Sequence, residues 1–478
     1  MKERKELQNR LTKVINDLIE VVVDKYNELE KSSLSFLSIP KHDNYPSMSM
    51  YSEDDFPTFH KYSSFYGSQV NYSEILKKDN LYESVQSLNQ LFEDFFKYKR
   101  LKVFFDIPDW NPPKKEYKGE LIIMSFRNHI FELVDNLVHT KTSTRSKFQL
   151  HKIELFLNSI YNDELKYELV VPIIYHNSEY KKFQLAKDIK ITSIPSNIQL
   201  ARNDQSPPNI VAKPKVLGSA NFCLRISNHL NRISNKNYYS HKSKLKEKVD
   251  SLIPMIDNVF SLLNISRFNA IGYCQIIADP INHEIGWFGE ITKREILGVK
   301  RYPSNYDTDT QNHKDILKKE HCRIAKKLLA KKIKSKPLKL AKQKLLDSEN
   351  RETVEDATLD LSTAFESLLS DSKENIKYKV SLRSGAICKM EKLLDFSPVD
   401  VVKIVKRFYD FRSDIIHGNQ DKNDNRFIKL NGFEKFETYV GAKLVLKHIL
   451  KFLINHPNYL KNVIEIDEYL LTGKKNGN

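Results

Sequence analysis

Residues 397–419 read SPVDVVKIVKRFYDFRSDIIHGN, and nearly every mark of a helix is written into them. Ser397 is a natural N-cap. Pro398 suits the first helical position, where its missing N–H costs nothing, and Asp400 stands three residues past the cap. Gly418 suits the left-handed residue that closes a helix. These signals predict one helix of about five turns. At 100° per residue, Val401, Ile404, Val405, Phe408, Ile415 and Ile416 form a single apolar stripe, and Arg412 falls near its centre. A guanidinium there is costly unless it is paired or faces a polar, shared cavity. His417 follows in the final turn, about 140° around the axis from Arg412. Only a side chain as long as arginine's brings two such groups near one phosphate within a chain. A two-fold pairing of these helices would bring both Arg–His pairs into one cleft.

Arg and His together suit one reaction class. An RNA 2′-hydroxyl attacks its adjacent phosphate when a base takes its proton and an acid protonates the leaving 5′-oxygen. Imidazole titrates near neutrality and serves either role. A fixed guanidinium clamps the phosphate and offsets the charge that develops on it. The route requires no metal, and DNA, lacking the 2′-hydroxyl, cannot follow it. Spacing alone says little. With 14 histidines in 478 residues, an arginine meets a histidine after four to six intervening residues by chance roughly one time in eleven. Arg145 and His151 are such a pair, but their flanks alternate as a strand and carry no cap. The plain structural reading of His417 is a histidine favoured at a helix C-terminus by the macrodipole.

Outward from this segment, the 478-residue chain has room for about three domains. It reads as multidomain α+β, with N-terminal helical and mixed α/β regions followed by an all-α C-terminal helical bundle. Residues 1–98 are mainly helical: Leu7, Leu11, Val14, Ile15, Leu18, Val21 and Val22 recur at helical spacing, and a second amphipathic run covers 73–100 beyond a polar stretch at 32–72. Residues 99–206 read as mixed α/β. Here LKVFFDI, KFQLHKIELFL, YELVVPIIY and AKDIKITSI suggest strands around a helix at 126–138. Residues 207–308 form a connecting α/β region, with strands in KVLGSANFCLRIS and FNAIGYCQIIA and a helix interrupted near Pro254. Two turn-rich stretches, 203–208 and 301–312, suggest boundaries. Residues 309–478 form the C-terminal helical domain, and from Ile316 to the end almost everything has helical period, broken at Pro337, Pro398 and Pro457.

Composition excludes several classes. No glycines fall in a G-x-G-x-x-G or G-x-x-x-x-G-K pattern, which removes the common nucleotide folds. Cys223, Cys274, Cys322 and Cys388 are scattered, so neither a zinc site nor a disulfide scaffold is signalled, and they read as reduced, mostly buried thiols. The charged amino terminus lacks the apolar core of a signal peptide, and no apolar run approaches the ~20 residues that span a bilayer. A soluble, cytoplasmic protein is expected. The formal charge of +16 makes a polyanionic partner plausible. Basic residues crowd 314–344, opposed only by Asp315 and Glu320; a phosphate-binding face and an ordinary solvated helix face explain that run about equally well. His313 and His321 read as surface histidines. Glu352, Glu355, Asp356 and Asp360 read as a solvated, dipole-compensating first turn and face, and Trp110 and Trp287 as core or pocket wall.

The last third of the chain resembles the Apea-like branch of the HEPN superfamily, and three features carry the resemblance. Residues 359–387, LDLSTAFESLLSDSKENIKYKVSLRSGAI, are similar to the family's first helix with its acidic residue, here Glu366, leading into the helix with Arg383. Residues 409–418, YDFRSDIIHG, are similar to its signature, Tyr-x-x-Arg-Ser followed by an apolar pair, His and Gly. A closing amphipathic helix, 436–454, follows after a loop. The resemblance implies a metal-independent endoribonuclease without cofactor, acting as a homodimer through its C-terminal helical domain. It implies an antiviral or toxin-type effector, with tRNA or another structured RNA as substrate and an activating trigger. It carries over Arg412 and His417 as catalytic residues, with Ser413, Tyr409 and Glu366 supporting them. The helical wheel sets Glu366 on the flank of its own stripe, where a salt bridge serves equally well. Lys403, Lys406 and Arg407 lie off the apolar stripe of the signature helix and suit guidance of an RNA backbone. The competing class is a non-catalytic RNA-binding or dimerisation module in a defence or toxin–antitoxin complex.

Overall fold

Leu7, Leu11, Val14, Ile15, Leu18 and Val22 are all buried along one face of helix α1 (Lys2–Glu28), as their spacing predicts. The computed structural model describes residues 2–28, 36–37, 48–53, 56–61, 69–70, 72–105, 115–138, 142–174, 176–195, 198, 216, 220–231, 238–282, 295–303, 315–331, 335–372, 374–392, 396–418, 423–430 and 433–474. The turn-rich stretch 203–208, Trp110, Trp287 and His313 lie outside these residues. Helix α1 packs on α2 (Lys115–Val138) and α3 (Thr142–Tyr161), with the short helices Gln86–Glu93 and Lys99–Phe105 closing the bundle. Its core is rich in phenylalanine: the Phe126 ring lies 5.1 Å from Phe95 and 5.4 Å from Phe105.

Two expected strands are helices here. The described part of LKVFFDI, Leu101 to Phe105, falls in the helix Lys99–Phe105, and KFQLHKIELFL lies inside α3. The inward-facing residues of α3, Gln149, Ile153, Phe156, Leu157 and Ile160, follow three- and four-residue steps that β-branched and aromatic composition had masked. Arg145 and His151 therefore both sit on a helix, contrary to the expected strand. What separates them from Arg412 and His417 is position: they are interior to α3, and Arg145 donates to the Val138 carbonyl at 3.3 Å.

A six-stranded antiparallel sheet occupies the middle of the chain. Its strands are β1 (Glu164–Ile173), β3 (Lys182–Ala186), β4 (Ile189–Ser193), β5 (Phe222–Asn231), β6 (Tyr273–Pro280) and β7 (Glu295–Arg301), in the order β7-β6-β1-β5-β4-β3. The sheet draws strands from both sides of residue 206. Strand β2 (His176–Ser178) pairs in parallel with β8 (Asp315–Leu317) beside it. The apolar run of β1 serves two cores. Tyr167, Leu169, Val171 and Ile173 face one side, while Val170 and Ile174 face the other with Cys223, Cys274 and Ile277. The expected break at Pro254 does not occur: α4 (Tyr238–Ile265) runs through it and covers the first face. All four cysteines are buried.

The core under α4 continues into the C-terminal helices: α5 (Lys319–Ala330), α6 (Lys336–Asn350), α7 (Val354–Leu369), α8 (Ile376–Met390), α9 (Pro398–Ile416), α10 (Thr438–Asn455) and α11 (Ile464–Thr472). The region is not wholly α-helical, because β9 (Phe427–Leu430) and β10 (Phe433–Glu437) form a hairpin between α9 and α10. Helix α9 is gripped from two sides by glycines. A Cβ on Gly385 of α8 would meet Val402 Cγ2 at 2.5 Å, and one on Gly441 of α10 would meet Ile404 Cγ2 at 2.9 Å. Only a residue without a side chain lets the three helices approach this closely. Arg383 of α8 is buried, yet fully engaged: it donates to Asp467 Oδ1 at 2.8 Å and Oδ2 at 2.6 Å, to Asp371 at 3.1 Å and to the Leu369 carbonyl at 2.6 Å. Among the described residues no helix is long and apolar enough to cross a membrane.

Candidate functional site

Helix α9 begins as its sequence requires. The Ser397 hydroxyl accepts from the Asp400 amide at 3.1 Å, and the Asp400 carboxylate returns the bond to the Ser397 amide at 3.3 Å. At its other end His417 leaves helical geometry and Gly418 takes φ +70°, the left-handed stop. Between them Val401, Ile404, Val405 and Phe408 are buried, joined by Tyr409 and Phe411. The stripe ends sooner than expected. Ile415 is half-buried and Ile416 is 52% exposed, because the last turn projects past the helices that cover the rest of α9.

Arg412 stands where that core stops. Its direction continues the buried stripe, but its side chain is 33% exposed. Helix α7 supplies the partners that an arginine in this position needs. Arg412 Nε donates to Ser362 Oγ at 3.0 Å, and Nη2 lies 3.6 Å from Glu366 Oε1. Ser362 and Glu366 are four apart, on one face of α7, so a single helix presents both groups. Ser362 escaped the sequence reading. The signal that could have found it is its i,i+4 spacing from Glu366. Tyr409 is buried beside this pair; burial, and then the Glu366 carboxylate, push its phenol well above the ordinary tyrosine range.

His417 and Ser413 are exposed. The His417 amide donates to the Ser413 carbonyl at 3.0 Å, which ties the backbone of the two residues together. The imidazole has no hydrogen-bond partner among the described residues. Charges around the helix end are mixed: Lys377 of α8 pairs with Asp410, and Asn425 donates to Asp414 at 2.6 Å. A polyanion therefore meets an Asp410 already matched by a lysine.

The three expected guiding cations behave differently from one another. Lys403 is exposed. Lys406 is half-buried with its ammonium 5.8 Å from the centre of the Tyr378 ring. Arg407 is also half-buried and donates to the Phe427 carbonyl at 3.3 Å, so it anchors the hairpin to α9. Two other sequence readings change. Asp360 is buried, not solvated, and holds Lys344 at 2.7 Å and Arg351 at 2.6 Å. His321 is structural, its Nδ1 accepting from Arg267 at 3.1 Å. Among the described residues no group of His, Cys, Asp and Glu is arranged to hold a metal ion.

No family model, curated protein or solved structure matches the chain. The functional reading therefore rests on the residues themselves.

Proposed function

We propose that the chain is a metal-independent RNA endonuclease of the HEPN type, with Arg412 as phosphate clamp and His417 as acid–base group. One observation supports it most: Ser362 and Glu366 hold the Arg412 guanidinium at the edge of the core, five residues before an exposed, unshared imidazole at the helix stop. In the step envisaged, the 2′-oxygen bonds to phosphorus and the bond from phosphorus to the 5′-oxygen breaks. One imidazole takes the 2′-hydroxyl proton, and the imidazolium of a second copy gives a proton to the departing 5′-oxygen. The products are a 2′,3′-cyclic phosphate and a 5′-hydroxyl. Arg412 steadies the charge on the non-bridging oxygens. Structured RNA such as tRNA is the substrate envisaged, in the cytoplasm, as a homodimer released by a trigger in an antiviral or toxin role.

Exposed apolar side chains on α8 and α9, Tyr378 at 58%, Val399 at 61% and Ile416 at 52%, favour a second reading, a dimerising or RNA-binding module without catalysis. Expression separates the two. A ribonuclease slows growth and Arg412→Ala relieves it, whereas a binding module leaves growth equal in both.

A further inference from the structure

Helices α4, α5 and α6 line an open cleft of about 430 Å³ that shares no residue with the Arg412 site. That volume falls in the range of small-molecule sites. Its lining includes the apolar Leu262, Leu328 and Leu329 together with Lys331, Lys339 and Lys342, of which Lys331 and Lys339 are exposed. Lys342 is the unusual group. Its residue is only 6% exposed, and its ammonium donates to the neutral Asn258 side-chain oxygen; among the described residues it has no carboxylate partner. Burial, and then the neighbouring Lys339, lower its pKa to about 8. A buried ammonium beside the exposed Lys339, with no carboxylate of its own, is an arrangement that an anion completes.

The other polar groups leave room for one. The exposed Lys331 donates to the Asn455 side chain at 2.8 Å, and the Ser261 hydroxyl donates to the Asn258 backbone carbonyl at 2.9 Å. The single carboxylate in the lining, Asp257, is already held: it accepts from the Tyr273 hydroxyl at 2.7 Å and lies 3.7 Å from Arg301. We infer that this cleft binds a phosphate-bearing small molecule, its phosphate against Lys342 and Lys339 and its apolar part against Leu262, Leu328 and Leu329. The site is independent of RNA cleavage and stands or falls without it.

Pyridoxal 5′-phosphate tests it on the full chain, since it carries a phosphate, an aromatic ring and an aldehyde that condenses with a lysine amine with loss of water. Borohydride then fixes the imine as a secondary amine for peptide mapping. With the phosphate held by Lys339, the aldehyde should condense with the buried Lys342 at least tenfold faster than with exposed Lys336, inorganic pyrophosphate should protect Lys342, and pyridoxal without the phosphate should show no such preference. Asn258→Asp gives Lys342 a counter-charge without emptying the core, so the variant should melt at or above the parent temperature and lose the preference. Even labelling across exposed lysines, equal preference with pyridoxal, or undiminished labelling in a folded Asn258→Asp protein would overturn the assignment.

Discussion

Arg412 of α9 donates through Nε to Ser362 Oγ of α7 at 3.0 Å, five residues before the exposed His417. Ser362 is 2% exposed while the Arg412 side chain is 33% exposed, so the bond lies at the edge of the core. Ser362→Ala should cost about 1–3 kcal/mol of stability, because it removes the bond from the charged Arg412 and the hydroxyl's own bond to the Leu359 carbonyl at 2.8 Å. Under the proposed chemistry it should also lower RNA cleavage by roughly tenfold, since a misplaced clamp still carries its charge. Thermal melts and single-turnover cleavage on the same preparation check both. Unchanged cleavage would mean that Ser362 does not position Arg412.

Gly385→Ala should destabilise the chain by about 1–3 kcal/mol. The new methyl would sit 2.5 Å from Val402 Cγ2 and 3.0 Å from the Pro398 carbonyl oxygen, and the second cannot rotate away. Denaturant unfolding reads the loss. A neutral result would show that α8 and α9 separate without cost.

Acid should weaken the C-terminal helices through Asp371. Arg383, and then Lys379, hold its carboxyl well below the ordinary range. A carboxylate depressed in the folded state is protonated more readily when unfolded, so the unfolded chain binds more protons as pH falls. The stabilisation is present in full above about pH 4 and is lost progressively below it. Asp371→Asn should flatten the acid limb of the melting temperature between pH 4 and 2; an unaltered limb would remove this pair from the account.

Lys403, Lys406 and Arg407 should separate in their effects. Lys403→Ala should reduce RNA affinity and its salt slope with no change in melting temperature, because the side chain is exposed. Arg407→Ala should also lower the melting temperature, because it frees the Phe427 carbonyl of the hairpin. Filter binding over a salt series, with melts alongside, distinguishes the two. An identical salt slope for Lys403→Ala would take that residue off the RNA path.

Much of this was legible in the sequence because local signals and tertiary context agree. Ser397, Pro398, Asp400 and Gly418 all mark the ends of α9, and both ends lie where they indicate. The pairing of Arg412 was foreseeable as a need, since a guanidinium on an apolar stripe requires partners, but the identity of Ser362 was not. It comes from a helix crossing fifty residues away in sequence. Strand and helix were confused where aromatic and β-branched residues fill a short run, as in α3, whose inner face is fixed by packing of Phe156 on the neighbouring Phe126 and Phe105. The early exposure of Ile416 was equally hidden, because the wheel reports direction around an axis and not where the covering helices end.

The proposal turns on whether His417 and Arg412 cut RNA. Purified protein incubated with total RNA in excess EDTA, followed by mapping of the cut ends, tests it most directly. Cleavage should persist, the fragments should carry 2′,3′-cyclic phosphate and 5′-hydroxyl ends, and His417→Ala should lose at least the ~10²-fold typical of a general acid–base group while melting like the parent. Cleavage that needs a divalent metal and leaves 5′-phosphates, or full activity in His417→Ala, would contradict it.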